Sequence, residues 1–487
     1  MKLFIAFFLI PVCLYAQSLT WSEGNEYNRN ADSFEIAGVN DSMICVENYT
    51  RGGLFRKSGI RCILYHARTL AILHKINMEY AGEKRIFLGT ILYKNQFVIV
   101  YLRFDEENEI TSLEHIPLLE KTAPLIWWTS QAGSSPDDTK AMLLREPGSI
   151  PLVVIMQTTD NKQTQLKVCL PPSDSTRIQA SCTLPFPPSQ TEVIQSMADN
   201  KANIGLLIQC GRTEETLFRQ SRAGETFFYS WTSAVSSPGR LKLNDLPQVL
   251  VNARMASVKK VVCVYQDIRK QVFRIRGFGI SDRTADSSEE NSADDYAESE
   301  QKVSGDIKDT DRMNMLFATQ ANDSLLLMAA EQSFTERICQ PMPIGMRYGS
   351  VQCDFYYHHN DFSIYLLQAS STRFKRFNLQ NRQTTINDQG IFNSFVFGNN
   401  TRSAWMIWLE GNDKKKRGSL VMNNPFSAAL SMLTYDLASG QTKKEVLQAG
   451  SSKGPVAKPK QSIFIPDKGF LLLGVREGKC YLGAINL

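Results

Sequence analysis

Runs of five to ten β-branched, aromatic and aliphatic residues recur along the chain, each ending in Gly, Asn, Asp or Pro. Such runs predict strands. Clear examples lie at residues 85–89, 96–101, 152–156, 260–265, 362–367, 403–408, 470–474 and 480–485. About twenty occur, spaced about 8–15 residues apart, the rhythm of an all-β chain. A helical period is hard to find. Residues 111–121 carry the best short helical pattern, interrupted by Pro117, and residues 423–432 a weaker one.

So many strands do not fit one open sheet, because strongly twisted sheets rarely exceed about 10 strands. Radial blades and a set of β-sandwiches remain. The runs continue without a Pro/Gly-rich linker before residue 281, which favours blades. The expected fold is therefore all-β, a β-propeller-like array of about six to eight antiparallel blades. Sequence repeats at the blade period of about 40–50 residues are not crisp.

One stretch breaks the pattern. Residues 281–311 hold eleven acids against three bases and almost no bulky apolar side chain. Such a segment buries too little surface to offset its ordering entropy. We expect residues 281–312 to form a disordered acidic loop or linker between a first part of the propeller (17–280) and the remaining blades (313–487). Its charge of −8 leaves +13 on the rest of a chain whose total is +5. The dense basic cluster, Lys414-Lys415-Lys416-Arg417, follows the turn residues Gly411-Asn412-Asp413 and reads as a hairpin tip.

The N-terminus changes the picture of where this fold operates. Lys2 precedes an apolar run from Leu3 to Leu14, and Tyr15-Ala16 leads into polar sequence at Gln17. That is the layout of a secretory signal, residues 1–16, with cleavage between Ala16 and Gln17. The run is shorter than the roughly 20 apolar residues of a membrane span, so no transmembrane anchor is expected. A lipidated Cys13 is disfavoured by the bulk of Val12. The expected location is secreted, periplasmic or outer-surface, where nucleic acid is not a partner.

Export makes cysteine spacing informative. Cys45 and Cys62, Cys169 and Cys182, and Cys339 and Cys353 are separated by hairpin-scale distances and are candidate disulfides. Buried free thiols are the competing reading. No Cys-x-x-Cys pair is present, and neither metal nor cofactor is expected.

Two catalytic signatures are missing from the sequence: it has no His-Glu-x-x-His and no phosphate-cradling Gly loop. The most polar string is Tyr356-Tyr357-His358-His359-Asn360-Asp361. His358, His359 and Asp361 are binding candidates, although adjacent strand residues face opposite ways and a turn between two strands explains the string without function. Trp127 and Trp128 are candidates for stacking on a sugar or a partner, with apolar strand filling as the alternative.

Three features carry a family resemblance. Ser135-Pro136-Asp137-Asp138-Thr139-Lys140, followed by Ala141-Met142-Leu143-Leu144, resembles the Ser-Pro-Asp blade opening of TolB-like propellers, with Asp138 where a Gly is usual. The Tyr-Ala ending before Gln17 is similar to exported proteins of the Bacteroidetes. The order of Ala329-Ala330-Glu331-Gln332, His359-Asn360-Asp361 and Leu482-Gly483 resembles secreted proteins of unknown function from that phylum. The resemblance implies a propeller-like protein of the cell envelope or surface and brings no catalytic residues with it. In that setting Asp41-Ser42-Met43 and Asp323-Ser324-Leu325 resemble O-glycosylation sites.

The function expected from these readings is a non-catalytic binding or scaffold protein of the bacterial cell envelope, engaging a protein or glycan. The alternative is a carbohydrate-active enzyme, a glycoside hydrolase or lyase, on a propeller scaffold.

Overall fold

The apolar runs are continuous rather than alternating because both faces of the strands are covered. In residues 152–156 every side chain is fully buried, yet successive residues enter different cores. Leu152, Val154 and Met156 pack on one side, Val153 and Ile155 on the other. The computed structural model that reveals this describes residues 19–26, 32–50, 59–79, 85–120, 122–130, 139–146, 149–159, 162–170, 178–211, 224–232, 238–244, 249–267, 272–280, 294–302, 313–322, 325–341, 351–368, 374–386, 390, 392–410, 425–450 and 453–487.

The strands form eight antiparallel sheets, the blades of an eight-bladed β-propeller. Blade I consists of Asp32–Val39, Met43–Thr50, Gly59–His66 and Ile72–Glu79. Blade II follows with Arg85–Tyr93, Gln96–Asp105, Ile110–Pro117 and Leu125–Thr129. Blade III is Thr139–Leu144, Leu152–Thr158, Thr164–Cys169 and Ile178–Leu184. Blade IV is Thr191–Ala198, Ile204–Cys210, Glu225–Trp231 and Gly239–Lys242. Blade V is Val249–Ser257, Lys260–Asp267, Val272–Gly279 and Asp294–Lys302.

Blade VI contains Met313–Asn322, the long strands Leu325–Pro341 and Val351–Gln368, and Phe374–Ile386. Blade VII is Phe395–Asn399, Ser403–Glu410, Ala429–Asp436 and Thr442–Gln448. Blade VIII has a broken inner strand, Val456–Ala457 and Ile463–Ile465, beside Gly469–Arg476 and Lys479–Ile485. Its outer position is taken by the N-terminal pieces Leu19–Trp21 and Asn25–Glu26, which pair with Lys479–Ile485 and close the ring. The Trp21 indole lies flat on this blade, where a methyl at Gly483 would approach it to 2.8 Å.

Eight separate hydrophobic cores result, one in each seam between neighbouring blades, including the seam from VIII to I. Each fully buried Val, Leu, Ile or Phe stabilises a seam by about 1.5–3 kcal/mol. The outer strand of blade VII, Thr442–Gln448, is polar and half-exposed, and therefore lacks the apolar-run signature.

Several expectations are corrected. Residues 111–121 are not helical: Ile110–Pro117 is the third strand of blade II, and Pro117 sits at its end opposite Val98. Residues 423–432 hold a short 3-10 turn, Pro425–Ser427, and the start of a strand. Part of the acidic segment is ordered as the outer strand of blade V, where the register sets Glu298 opposite Arg276 and Glu300 opposite Arg274. Residues 281–293 and 303–312, the expected leader with Ala16 and Gln17, and Lys414 to Arg417 lie outside the described residues. No helix among the described residues is long and apolar enough to cross a membrane.

Candidate binding cavity on the propeller axis

The inner strands leave a cavity of about 970 Å³ around the axis, within the upper range for small-molecule sites. Its wall comes from blades I to V and VIII. Val39, Leu92, Arg145, Ser149, Asn200 and Val258 line it, and all lie at the ends of first strands or in the turns leading to second strands. The cavity is therefore on the face formed by those turns. Partly exposed apolar side chains, among them Leu92, Ile150, Met197 and Ile463, cover much of the wall.

Arg145, just past the first strand of blade III, organises one side. Its guanidinium donates to the Thr90 carbonyl of blade II at 2.9 Å, pairs with Glu35 of blade I at 2.7 Å and pairs with Glu47 of the same blade. Glu47 also accepts from the Thr90 amide at 2.8 Å. Burial works against the charge on Arg145, but the two carboxylates more than offset it and raise its pKa. Beside it, burial raises the Glu146 carboxyl above its usual range, opposed by Arg254 of blade V. Arg254 is lowered by burial, opposed in turn by Glu146.

On the blade IV side, Asp199 caps its own turn. It accepts from the Lys201 amide at 2.9 Å, the Asn203 amide at 3.0 Å and the Asn203 side chain at 2.8 Å. Burial alone would raise its pKa, yet these donors hold it below the usual value and keep it ionised. From the wall of blade VIII comes Lys460, exposed and 3.3 Å from His359 Nε2. His359 Nδ1 lies 2.8 Å from Glu331, a carboxylate only 1% exposed. A carboxylate there accepts from Nδ1–H and leaves Nε2 as the acceptor for the ammonium. Gly390, with φ +65°, closes over this contact, and a methyl there would come within 3.0 Å of Nε2.

His358 and His359 thus do not share a turn. They sit inside the strand Val351–Gln368 with different partners, His358 stacking on Phe334 at 4.3 Å and bonding Thr384 at 3.1 Å. Asp361 is the bulge residue that follows, at φ 38°. Trp127 and Trp128 are 6% and 8% exposed and fill the seam between blades II and III, away from the axis. A bulge between Ile126 and Trp128 brings both into that seam. Trp127 stacks on His115 with centroids 4.4 Å apart.

Of the candidate disulfides, Cys339–Cys353 is formed, joining directly opposite positions near the end of the blade VI hairpin. The other two pairs are corrected. Cys45 faces Leu64 and Cys62 faces Glu47, so these thiols are diagonal neighbours in hydrogen-bond contact, not bonded. Cys169 faces Ile178 while Cys182 faces Leu166, and the two belong to opposite seams of blade III. Thr139–Leu144, which follows the Ser-Pro-Asp string, opens blade III. Asp41 and Ser42 form an exposed turn, and Asp323 and Ser324 lie outside the described residues.

The charged cavity residues were missed by sequence reasoning, apart from His359 and the string containing Glu331. Arg145 and Glu47 are 98 positions apart, and only the ring brings them together.

No protein-family model matches the chain, and no functionally curated protein matches it. Among solved structures, it is similar to the extracellular domains 1–2 of Drosophila Semaphorin 1b at 8% identity, covering 96% of this chain and 87% of that one, with a TM-score of 0.32. Prolyl oligopeptidase B from Galerina marginata is similar at 10% identity, with 91% and 46% covered and a TM-score of 0.35. An acylaminoacyl peptidase from Pyrococcus horikoshii is similar at 8% identity, with 86% and 54% covered and a TM-score of 0.33. The chain spans about half the length of these two peptidases, at 46% and 54%. Similarity of this extent carries nothing about activity.

Proposed function

We propose that the chain is an exported, non-catalytic binding or scaffold protein of the bacterial cell envelope, whose protein or glycan ligand seats in the axial cavity. One observation carries the reading: the carboxylates of Glu35, on the cavity wall, and Glu47, opposite it on the next strand, are both engaged by Arg145. Glycoside cleavage needs one carboxyl as acid and a second as base or nucleophile across an open gap. A guanidinium between two carboxylates neutralises that pair instead. The leader-like N-terminus supports export, and the Cys339–Cys353 disulfide is compatible with an oxidising compartment.

The test is calorimetric titration of the chain with soluble envelope oligosaccharides and peptides, with mass spectrometry of the ligand afterwards. Saturable binding with the ligand recovered intact supports the proposal. Product formation that Glu146→Gln abolishes would replace it with the carbohydrate-active alternative.

A further inference from the structure

The charges on the cavity wall are separated across the axis. In a closed ring of eight blades, blade VIII stands opposite blade IV. Lys460 projects from blade VIII, whereas Asp199 projects from the opposite blade IV. Each end is built. The ammonium of Lys460 is oriented by His359, whose tautomer is set by buried Glu331. Asp199 is kept ionised by three donors from its own turn. Glu35 adds little net charge, since Arg145 already pairs with it. Between the two ends the wall is largely apolar, with Leu92, Met197 and Ile463 partly exposed.

A ligand matching this wall has an anion at one end, a cation at the other and apolar groups between. The wall is poorly suited to stacking a sugar ring. Phe34 is 2% exposed, and Phe464 is engaged with Phe470 and Trp405 at centroid distances of 5.0 and 5.9 Å. We propose that the cavity receives a short peptide with charged ends, its α-carboxylate on Lys460 and its amino group or a basic side chain on Asp199. This rests on the binding reading above and narrows it to one ligand class.

The test uses the full chain and the tetrapeptide Lys-Leu-Ala-Leu with both ends free, titrated in a calorimeter. Amidating the carboxylate is expected to weaken binding by about tenfold or more, as is acetylating the amino end with norleucine for lysine. Lys460→Met should remove the distinction between acid and amide, and Lys460→Arg should keep it. Asp199→Asn, which preserves the capped turn, should reduce the preference for the cationic end. Equal binding of free and blocked peptides by the wild type overturns the proposal. So does binding of envelope oligosaccharides without peptides, an outcome that leaves the binding reading intact. Cleavage of the bound peptide would sink the non-catalytic reading and leave the ligand class standing.

Discussion

Arg145 in blade III is ion-paired with Glu47 in blade I, and the Thr90 backbone of blade II completes the same hydrogen-bonded circuit. Three blades are thus tied together at the rim of the cavity by one guanidinium. The side chain of Glu47 is 9% exposed, so losing the guanidinium would leave a carboxylate nearly buried without its ion-pair partner. Arg145→Met is expected to destabilise the fold by about 3–5 kcal/mol, the cost of a buried charge left unpaired. Arg145→Met with Glu47→Gln should recover most of the loss. Urea unfolding midpoints of the three proteins measure it, and a double variant as weak as the single one would contradict this account.

His115 gives a pH dependence of defined sign. It is 2% exposed, stacked on Trp127, and its pKa is pushed below 6.5 by burial, opposed by a hydrogen bond at the Leu125 backbone. The unfolded imidazole takes a proton near 6.5 that the folded one resists. Its contribution is full above that value and is lost as pH falls from it through the lower folded pKa. Stability measured from pH 7.5 to 5 should fall less steeply in His115→Gln than in the wild type. Parallel curves would show that His115 is not the group responsible.

The Cys339–Cys353 bond should act locally. Closing a 14-residue separation constrains the unfolded chain by at most about 3 kcal/mol. The bond lies beyond the part of the hairpin paired to Met313–Asn322, which ends at Gln332. Replacing both cysteines by serine is expected to speed amide exchange in 333–341 and 351–357 while the seams keep their protection. Equally faster exchange in Leu152–Thr158 would mean that the hairpin supports the whole ring.

The remaining thiols should be silent. Burial pushes Cys169, Cys182, Cys263 and Cys480 up to about 12 and Cys210 up to about 11. Thiolate is the reactive form, so alkylation at pH 8 should be slow in the native protein and complete in denaturant. Peptide mapping of the labelled sites would decide it, and rapid native labelling of Cys263 would refute the buried assignment.

What could be read from residue order follows from how local each feature is. Inner strands were visible because both faces enter seams, whereas Thr442–Gln448 was hidden by its polarity. Asp294–Lys302 was hidden because its place as a strand comes from pairing with Val272–Gly279, information absent from the segment itself. Cysteine spacing identified hairpins but not register: Cys339 and Cys353 are directly opposite, Cys45 and Cys62 are one step diagonal, and composition does not distinguish them. The polar string around His359 drew attention for the right residue, yet its partner Lys460 is 101 positions away.

The way the ring closes bears on how the chain is made. Ser22 exchanges hydrogen bonds with Leu482, 460 positions later, as part of the last blade. At synthesis rates of about 5–20 residues per second, Ser22 waits roughly 23–92 seconds for its partner. Until then the outer pieces Leu19–Trp21 and Asn25–Glu26 have no strand to pair with and the VIII–I seam stays open, with Leu471, Leu473 and Leu482 not yet opposed to Ile44 and Ile63. Seven seams can form as an open arc during synthesis, and the eighth waits for the final residues. The interval before closure is when the nascent chain is most exposed to proteolysis and to pairing with the wrong neighbour.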